Sequence, residues 1–279
     1  MSPLEFCGGV FGISILAGAL GALLGLGGGI IIVPALTLLF GLDIRFAIGA
    51  SIISVIATSS GAAAAYVRDH MTNMRAAMFL ELGTTLGAIT GAYLAGIIGG
   101  RWLFIVFGLV MGYSAVVMLR NRHQSEGTVP PDSWADKLNL HGEYFDEAEH
   151  RLIKYKVTHT SIGLGLMWIA GVVSGLLGIG SGALKVPAMD LAMRLPMKVS
   201  SATSNFMIGV TAAASAGVYF ARGDIDPFIA APVAAGVLLG ATAASKLLPR
   251  LHNQTIRIAF VLVLLWVSGE MLLKGVRLG

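Results

Sequence analysis

The chain reads Gly25-Leu-Gly-Gly-Gly-Ile-Ile-Ile-Val-Pro34 near its start and Gly178-Ile-Gly-Ser-Gly-Ala-Leu-Lys-Val-Pro187 further on. Both stretches follow the pattern G-x-G-x-G-x-x-x-V-P. Aligned without a gap over residues 25–67 and 178–220, they share 12 identical residues in 43 positions. A pattern that recurs in register with its flanks indicates an internal duplication. We therefore expect two homologous halves.

The composition predicts a polytopic membrane protein of the all-α class. Of the 279 residues, 56% are hydrophobic and 12% are charged, and the mean hydropathy is +0.80. A soluble domain carries about 25% charged residues. Of the 19 basic and 15 acidic residues, 13 lie between Arg120 and Lys156, which leaves apolar runs elsewhere that can span a bilayer. This distribution argues against a soluble enzyme, a nucleic-acid-binding protein and a disordered chain.

Each half is expected to contain five helical segments, which gives eight to ten transmembrane or re-entrant helices in all. The predicted segments are 9–24, 30–42, 47–67, 76–99 and 102–119, then 160–177, 183–195, 200–220, 228–247 and 256–274. The domains are a first transmembrane repeat (1–120), a polar linker (121–158) and a second transmembrane repeat (159–279).

In each half the glycines separate the first helix from a short second one. Either both pieces cross the membrane, or together they form a re-entrant hairpin, and both alternatives give an odd number of crossings. An odd number inverts the second half relative to the first, as in many secondary transporters.

Basic residues predict that the linker is cytoplasmic and that the N-terminus lies outside. They flank the linker at 120–122 and 151–156, whereas the N-terminal tail has none. Lys274 and Arg277, near a C-terminus that should also be outside, count against this orientation. We interpret the linker as a solvated connection, with a short amphipathic helix as the alternative.

The glycine clusters predict two helix breaks near the middle of the membrane. Each glycine destabilises a helix by roughly 1 kcal/mol relative to alanine, and freed amides in hydrocarbon must be buried in protein or line a cavity. The helices that restart after the breaks point partially positive N-termini at them, which predicts an anion site. Its candidate residues are Gly25, Gly27, Gly28, Gly29, Gly178, Gly180, Ser181 and Gly182. The alternative is that glycines only permit close helix contact, which is our interpretation of the scattered Gly87 and Gly91.

Lys185 and Glu81 are the charged candidates. A lysine in the middle of a membrane costs at least roughly 2.5–3.5 kcal/mol, so Lys185 should face the interior and have a partner. That partner is a bound anion, Glu81 or Asp190, and the alternative is that Lys185 snorkels to an interface. Glu81 lies about 9 Å along its helix from Arg75. It is a candidate for proton coupling, or alternatively one half of a structural ion pair.

Neutral donors complete the predicted site. Ser51 and Thr58 are seven residues apart, hence on one helix face, and Ser204 and Thr211 repeat the spacing. We predict that Ser51, Ser204 and Asn205 line a path for an oxyanion. Alternatively, the hydroxyls bond carbonyls of their own helix or of a neighbouring helix.

These motifs resemble those of the sulfite exporter TauE/SafE family, within the toluene-sulfonate uptake permease group. The resemblance rests on the two glycine motifs, on Lys185-Val-Pro187 and on Ala202-Thr-Ser-Asn-Phe-Met-Ile-Gly-Val-Thr211. It covers nearly the whole chain outside 121–158 and departs from the pattern at Ser181, where glycine is usual. The resemblance implies a plasma-membrane transporter of sulfite, sulfonates or related organic acids, coupled to an ion gradient.

We therefore predict a secondary transporter, not an enzyme, that is a multi-pass protein of the cell (inner) membrane. Its partners are a small inorganic or organic anion and the lipid bilayer, with no nucleic acid and no cofactor, and a homodimer is left open. A metal site is not expected, because the chain has one cysteine and its six histidines are scattered. The alternatives are an anion channel, and a membrane assembly or scaffold protein acting through 121–158.

Overall fold

A computed structural model describes residues 2–120, 132–147, 149–247 and 251–277. Its elements are, in chain order, α1 (Pro3–Leu24), α2 (Gly29–Pro34), α3 (Ile44–Arg68), α4 (Met74–Ile97), α5 (Gly100–Arg120), α6 (Ser133–Lys137), β1 (Gly142–Asp146), β2 (Arg151–Tyr155), α7 (Thr160–Leu177), α8 (Gly182–Pro187), α9 (Met197–Ala221), α10 (Pro227–Ser245) and α11 (Asn253–Arg277). Among the described residues, six helices are long and apolar enough to cross a membrane, namely α1, α3, α4, α7, α10 and α11. The predicted all-α polytopic fold is therefore confirmed.

Polar caps move several helix starts a few residues ahead of the apolar runs that predict them. Asp43 accepts from the backbone N–H of Arg45 and begins α3, and Asn73 accepts from that of Ala76 and begins α4. Such caps satisfy backbone donors that the first helical turn leaves free. Hydropathy alone therefore places these helix starts a few residues late.

The short helices α2 and α8 each contain a proline and then loosen. Pro34 and Pro187 lack an amide hydrogen, and each is followed by a π-helical turn, Ala35–Leu39 and Ala188–Ala192. Because proline removes a helical hydrogen bond, the wider turn is the expected local response.

Each broken helix folds back on itself as a hairpin. The rings of Phe6 and Phe40, at the two ends of the first hairpin (residues 3–39), lie 5.3 Å apart. In the second hairpin (residues 160–192), the base is closed by the backbone N–H of Thr158, which donates to the carbonyl of Met193 over 3.2 Å. Two crossings and a re-entrant hairpin both return the chain to the end at which it started, so the choice between these two alternatives stays a prediction.

The two hairpins enter the bundle from opposite ends. Helix α3 begins just after the first hairpin and leads to Asn73, whose side chain donates to the Leu140 carbonyl and the Tyr155 hydroxyl near the base of the second hairpin. With 25 residues, α3 is about 37 Å long, so it connects the two ends. We call the end near Phe6 the first end and the end near Tyr155 the second end.

The scattered glycines lie where helices touch. A Cβ atom on Gly87 would collide with the backbone of α7 at Trp168, and one on Gly91 would collide with it at Val172. Small residues let membrane helices approach backbone to backbone. Their positions agree with the packing interpretation of these glycines.

The described part of the linker is folded and packed, unlike the solvated connection expected from its charges. Strands β1 and β2 pair antiparallel, from Gly142 opposite Tyr155 to Asp146 opposite Arg151. Apolar side chains of this segment, including the buried Tyr144, join a cluster with α4, α7 and the base of the second hairpin. Residues 121–131 and 148 lie outside the described residues, and the cytoplasmic placement of the linker stays a prediction.

Candidate functional site

The tips of the two hairpins cross, and each is fastened by a serine from the other half of the chain. The Ser51 hydroxyl on α3 donates to the carbonyl of Gly178 over 2.7 Å. The Ser204 hydroxyl on α9 donates to the carbonyl of Gly25 over 2.6 Å. The two predicted glycine breaks therefore lie together in the interior of the bundle.

The backbone at the breaks explains the glycines. Gly25 and Gly27 have φ angles of 69° and 70°, and Gly178 and Gly180 have 66° and 73°. This left-handed region is open to glycine without steric penalty. Ser181 also adopts it, at 59°, although it carries a side chain, and its hydroxyl donates to the neighbouring carbonyl of Gly180.

Close approach is the second reason for glycine here. A Cβ atom on Gly182 would overlap the carbonyl oxygen of Gly25, and one on Gly29 would overlap the Ser51 hydroxyl. The breaks thus need glycine for contact between the tips as well as for backbone freedom.

The predicted neutral donors are all at the crossing, but their protons are in use. Besides the two serines, the Asn205 amide donates to the carbonyls of Ala22 at 2.6 Å and Ser201 at 3.1 Å. The contact with Ala22 satisfies a carbonyl that the last turn of α1 leaves without a helical partner, whereas the Ser201 carbonyl belongs to α9 itself. The Asn205 Oδ1 atom is buried and has no hydrogen-bond donor. In this conformation the three side chains hold the tips, and their lining of an anion path stays a prediction.

Lys185 lies one helical turn beyond Gly182 and is fully buried. Its Nζ lies 3.6 Å from Oε2 of Glu81, which is 8% exposed. Of the partners considered from the sequence, Glu81 is thus in ion-pair contact with Lys185, and the lysine does not snorkel. The Glu81 carboxylate has a further partner in the Thr85 hydroxyl, which donates to Oε1 of Glu81 over 3.1 Å.

Thr211 joins the two charges. Its Oγ1 accepts from Lys185 Nζ over 2.6 Å and lies 2.6 Å from Glu81 Oε1. Thr58, at the aligned position of the first half, instead accepts from the backbone N–H of Gly28 over 3.0 Å. The sequence singles out both threonines by their spacing but does not assign Thr211 to the charged pair. The alignment of the two halves contains a signal that could have found this contact. It pairs Lys185 with Ile32, so only the half that contains Thr211, and not the half that contains Thr58, has a charged residue at this aligned position.

Another charged contact that the sequence did not predict lies at the second end. Lys198, in the first turn of α9, donates to Asp146 of β1 over 2.7 Å, and both side chains are 1% exposed. Burial alone would raise the pKa of Asp146, but the hydrogen bond and charge of Lys198 outweigh it and hold that pKa below its ordinary value. The pair attaches the folded linker segment to the bundle.

The first end carries an open cavity of about 430 Å³. Its lining residues are Leu38, Glu270, Leu273, Lys274 and Arg277. Lys274 also donates to the carbonyl of Thr37 in the first hairpin and lies over the Phe104 ring. Two cations and the carboxylate of Glu270 therefore border the opening beside the base of the first hairpin.

Metal ligation finds no support in the residues that the structure describes. They contain no group of three or more His, Cys, Asp or Glu side chains placed to hold an ion. The polar chemistry of the crossing is that of one ammonium, one carboxylate, hydroxyls and backbone amides.

The chain is similar in sequence to proteins that are described as membrane transporters. The sequence profile of the family described as Sulfite exporter TauE/SafE matches residues 10–271. The chain is 26% identical over 271 residues to the probable membrane transporter protein YunE of Bacillus subtilis, which covers 95% of this chain and 96% of that protein. It is 31% identical over 188 residues to a probable membrane transporter protein of Xylella fastidiosa, covering 67% of this chain and 64% of the relative. No solved structure matches the chain significantly.

Proposed function

Because the chain belongs to the sulfite exporter TauE/SafE family, we propose that it carries small sulfur-containing anions, such as sulfite and sulfonates, by gradient-coupled secondary transport. The chain is a multi-pass membrane transporter of the cell membrane. The proposal adds the substrate class, the coupling and the residues that bind.

One observation carries the proposal, namely the fully buried ammonium of Lys185 beside the crossing of the tips. A buried ion pair is a weak source of stability, since an apolar replacement is often as stable or more stable. Ionisable residues inside a membrane bundle are typical of substrate and ion pathways. Lys185 is the natural source of a full positive charge for an anion.

Backbone amides are the second source of positive potential. Helices α2 and α8 begin at Gly29 and Gly182, and their N-termini point toward the crossing from the two halves. Broken helices in transporters present such N-termini to anionic groups of the substrate. The Ser51 and Ser204 hydroxyls become available to the anion when the tips separate, because their present partners are carbonyls of the opposite tip.

Glu81 supplies the coupling in this proposal. While Glu81 is ionised it neutralises Lys185 at 3.6 Å, so a substrate anion has to compete with it. Uptake of a proton by Glu81 removes the competing charge and leaves Lys185 for the anion. Anion and proton then bind together, which links transport to a proton gradient.

Alternating access is proposed to come from two homologous, inverted halves that rock against each other. Matched contacts support the duplication. Tyr66 donates to the carbonyl of Ala22 over 3.2 Å, and Tyr219, at the aligned position, donates to that of Gly175 over 2.6 Å. The cavity at the first end, with Lys274 at its border, is where an anion would enter from that side.

Transport in proteoliposomes tests the proposal. The purified full chain should take up labelled sulfite and methanesulfonate saturably, and an imposed pH gradient should drive accumulation, which a channel would not give. Lys185→Gln should lower initial uptake by at least about tenfold, equivalent to ~1.4 kcal/mol. Lys154→Gln is the matched control, because that lysine lies on β2 with 79% of its side chain exposed. Unchanged binding and flux in folded Lys185→Gln protein would refute the site.

A second variant tests the coupling. Glu81→Gln should still move the anion down its gradient but should no longer accumulate it in response to a pH gradient. If Glu81→Gln accumulates substrate as the wild type does, the carboxylate is a structural partner of Lys185 and another group couples transport.

A further inference from the structure

Thr211 is the closest polar neighbour of both charges at the crossing. Its Oγ1 is 2.6 Å from Lys185 Nζ and 2.6 Å from Glu81 Oε1, whereas the direct contact of the lysine with Glu81 Oε2 is 3.6 Å. A third neighbour is the carbonyl of Met207, four residues back on α9, at 2.9 Å. All four groups are buried.

The hydroxyl of Thr211 has one proton for two close acceptors, Glu81 Oε1 and the Met207 carbonyl, and the Thr84 hydroxyl is more distant at 3.5 Å. Because the ammonium has no acceptor capacity, Lys185 must donate to Thr211 Oγ1. The hydroxyl proton therefore points either to the Glu81 carboxylate or to the Met207 carbonyl. An ionised carboxylate is the stronger acceptor, since charged groups make shorter and stronger hydrogen bonds. A protonated Glu81 is the weaker acceptor and can donate instead, which leaves Met207 as the acceptor.

We infer that Thr211 is a positioning residue that links Lys185 to the ionised Glu81 and releases the lysine to the anion when Glu81 takes up a proton. This inference rests on the proposed function, since it describes how the same site exchanges its two anions. No covalent bond of Thr211 changes, because the proton that Glu81 gains comes from the aqueous side and the hydroxyl only rotates. The threonine thus couples protonation of one charge to availability of the other.

Few other charged groups face this cluster in the described residues. On α4, Arg75 is exposed at the second end, where it donates to the Asn139 carbonyl. On α9, Lys198 is paired with Asp146 at the second end, and Arg222 contacts Asp224 at the first end. The described helix α7 has no charged residue along its length, and Asp190 is buried in the turn after α8. Glu81 and Lys185 are therefore the two charges in contact with Thr211.

The pH dependence of anion binding tests the inference. The probe is labelled methanesulfonate, whose charge stays constant from about pH 5 to about pH 8, so only the protein titrates in this range. If one proton binds with each anion, wild-type affinity falls about tenfold for each unit of rising pH. Thr211→Val removes the hydroxyl that links the pair and should make this slope shallower than the wild-type slope. Thr211→Ser keeps the hydroxyl and should keep the wild-type slope.

Matched variants separate this role from a structural one. Thr58→Val alters the aligned threonine away from the charged pair and should leave the slope unchanged. Glu81→Gln should bind with little pH dependence, because the competing charge is absent. If Thr211→Val does not fold, Thr211→Ala provides the same comparison with a smaller side chain.

The possible outcomes distinguish a failure of the role inferred for Thr211 from a failure of the proposed transport function. A wild-type slope in folded Thr211→Val or Thr211→Ala, with binding lost in Lys185→Gln, would overturn the role of Thr211 and leave the anion site in place. Binding that persists in Lys185→Gln, or no binding of methanesulfonate by the wild type, would overturn the proposed function and this inference with it.

Discussion

The Ser204 hydroxyl donates to the carbonyl of Gly25, 179 residues away in the chain, over 2.6 Å. Gly25 ends α1, and its carbonyl belongs to the last turn, which lacks helical partners. The bond therefore caps a helix of one half with a side chain of the other. It fixes the first hairpin at the crossing, as Ser51 fixes the second.

Ser204→Ala should destabilise the folded protein. The substitution leaves a buried carbonyl without a donor, which costs about 1–3 kcal/mol of unfolding free energy. Unfolding of the detergent-purified protein measures the loss. Ser60→Ala is the control, because Ser60 is exposed and bonds only the Ile56 carbonyl of its own helix. Equal stability of the two variants would mean that the Ser204–Gly25 bond does not fasten the tips.

Gly182→Ala should separate the tips. The added methyl group would overlap the carbonyl oxygen of Gly25, a backbone atom that cannot move alone. Overpacking of a tight contact costs typically about 1–3 kcal/mol, and we expect a loss in this range together with weaker anion binding. Thermal unfolding and methanesulfonate binding report the two effects.

Gly165→Ala is the matched control for Gly182→Ala. Gly165 lies in α7 with open space around its Cα, so alanine there should be neutral or stabilise the helix by up to roughly 1 kcal/mol. A Gly182→Ala protein as stable and active as Gly165→Ala would contradict the close contact of the tips.

Much of the fold follows from local sequence signals. The predicted segments lie within a few residues of the observed helices because apolar runs are long and turns are polar. The scarcity of charge made Lys185 conspicuous, and burial of a lysine requires a partner. Sequence alone narrowed that partner to three candidates, and the choice of Glu81 depends on how α4 packs beside α9.

Long-range contacts account for what the sequence did not predict. The path of α2 back along α1 depends on packing such as that between Phe6 and Phe40, which no periodicity reveals. The hydroxyls of Ser51 and Ser204 donate to carbonyls of the opposite half of the chain. The seven-residue spacing in the sequence identified these two serines but could not identify their partners. In the linker, the many charged residues suggested a solvated segment. The alternation of exposed and buried side chains in β1, which buries Tyr144 and Asp146, was therefore not recognised from the sequence.

The Lys185–Glu81 pair should show strong energetic coupling. Lys185→Met leaves a buried carboxylate without its counter-charge, and Glu81→Gln leaves a buried ammonium, so each should cost about 3–5 kcal/mol. The double variant removes both charges and should be less destabilised than the sum of the single variants. A double-mutant cycle from unfolding curves gives the coupling. The exposed pair Lys154 and Glu143, at 3.7 Å, is the control and should show no measurable coupling. Additive losses at Lys185 and Glu81 would show that the two charges do not interact.

The Asp146–Lys198 contact should hold the folded linker segment at neutral pH and weaken in acid. The pKa of Asp146 is lowered from 3.8 despite burial, because Lys198 donates to it and carries the opposite charge, with further hydrogen bonds from Glu149 and Tyr144. A group whose pKa is lower in the folded state stabilises that state above the unfolded-state value. This contribution is lost as the pH falls through the folded-state pKa. We therefore expect the segment to loosen below about pH 4.

Hydrogen exchange across residues 142–158 measures that loosening. Asp146→Asn should accelerate exchange of these amides at neutral pH by at least about tenfold, since it removes the buried carboxylate to which Lys198 donates over 2.7 Å. Exchange in this variant should then vary less with acid than in the wild type, because the titrating group is absent. Glu143→Gln, on the exposed face of the same strand, should exchange as the wild type does. Equal acid sensitivity in Asp146→Asn and wild type would assign the loosening to another carboxylate and remove Asp146 as the pH-dependent attachment.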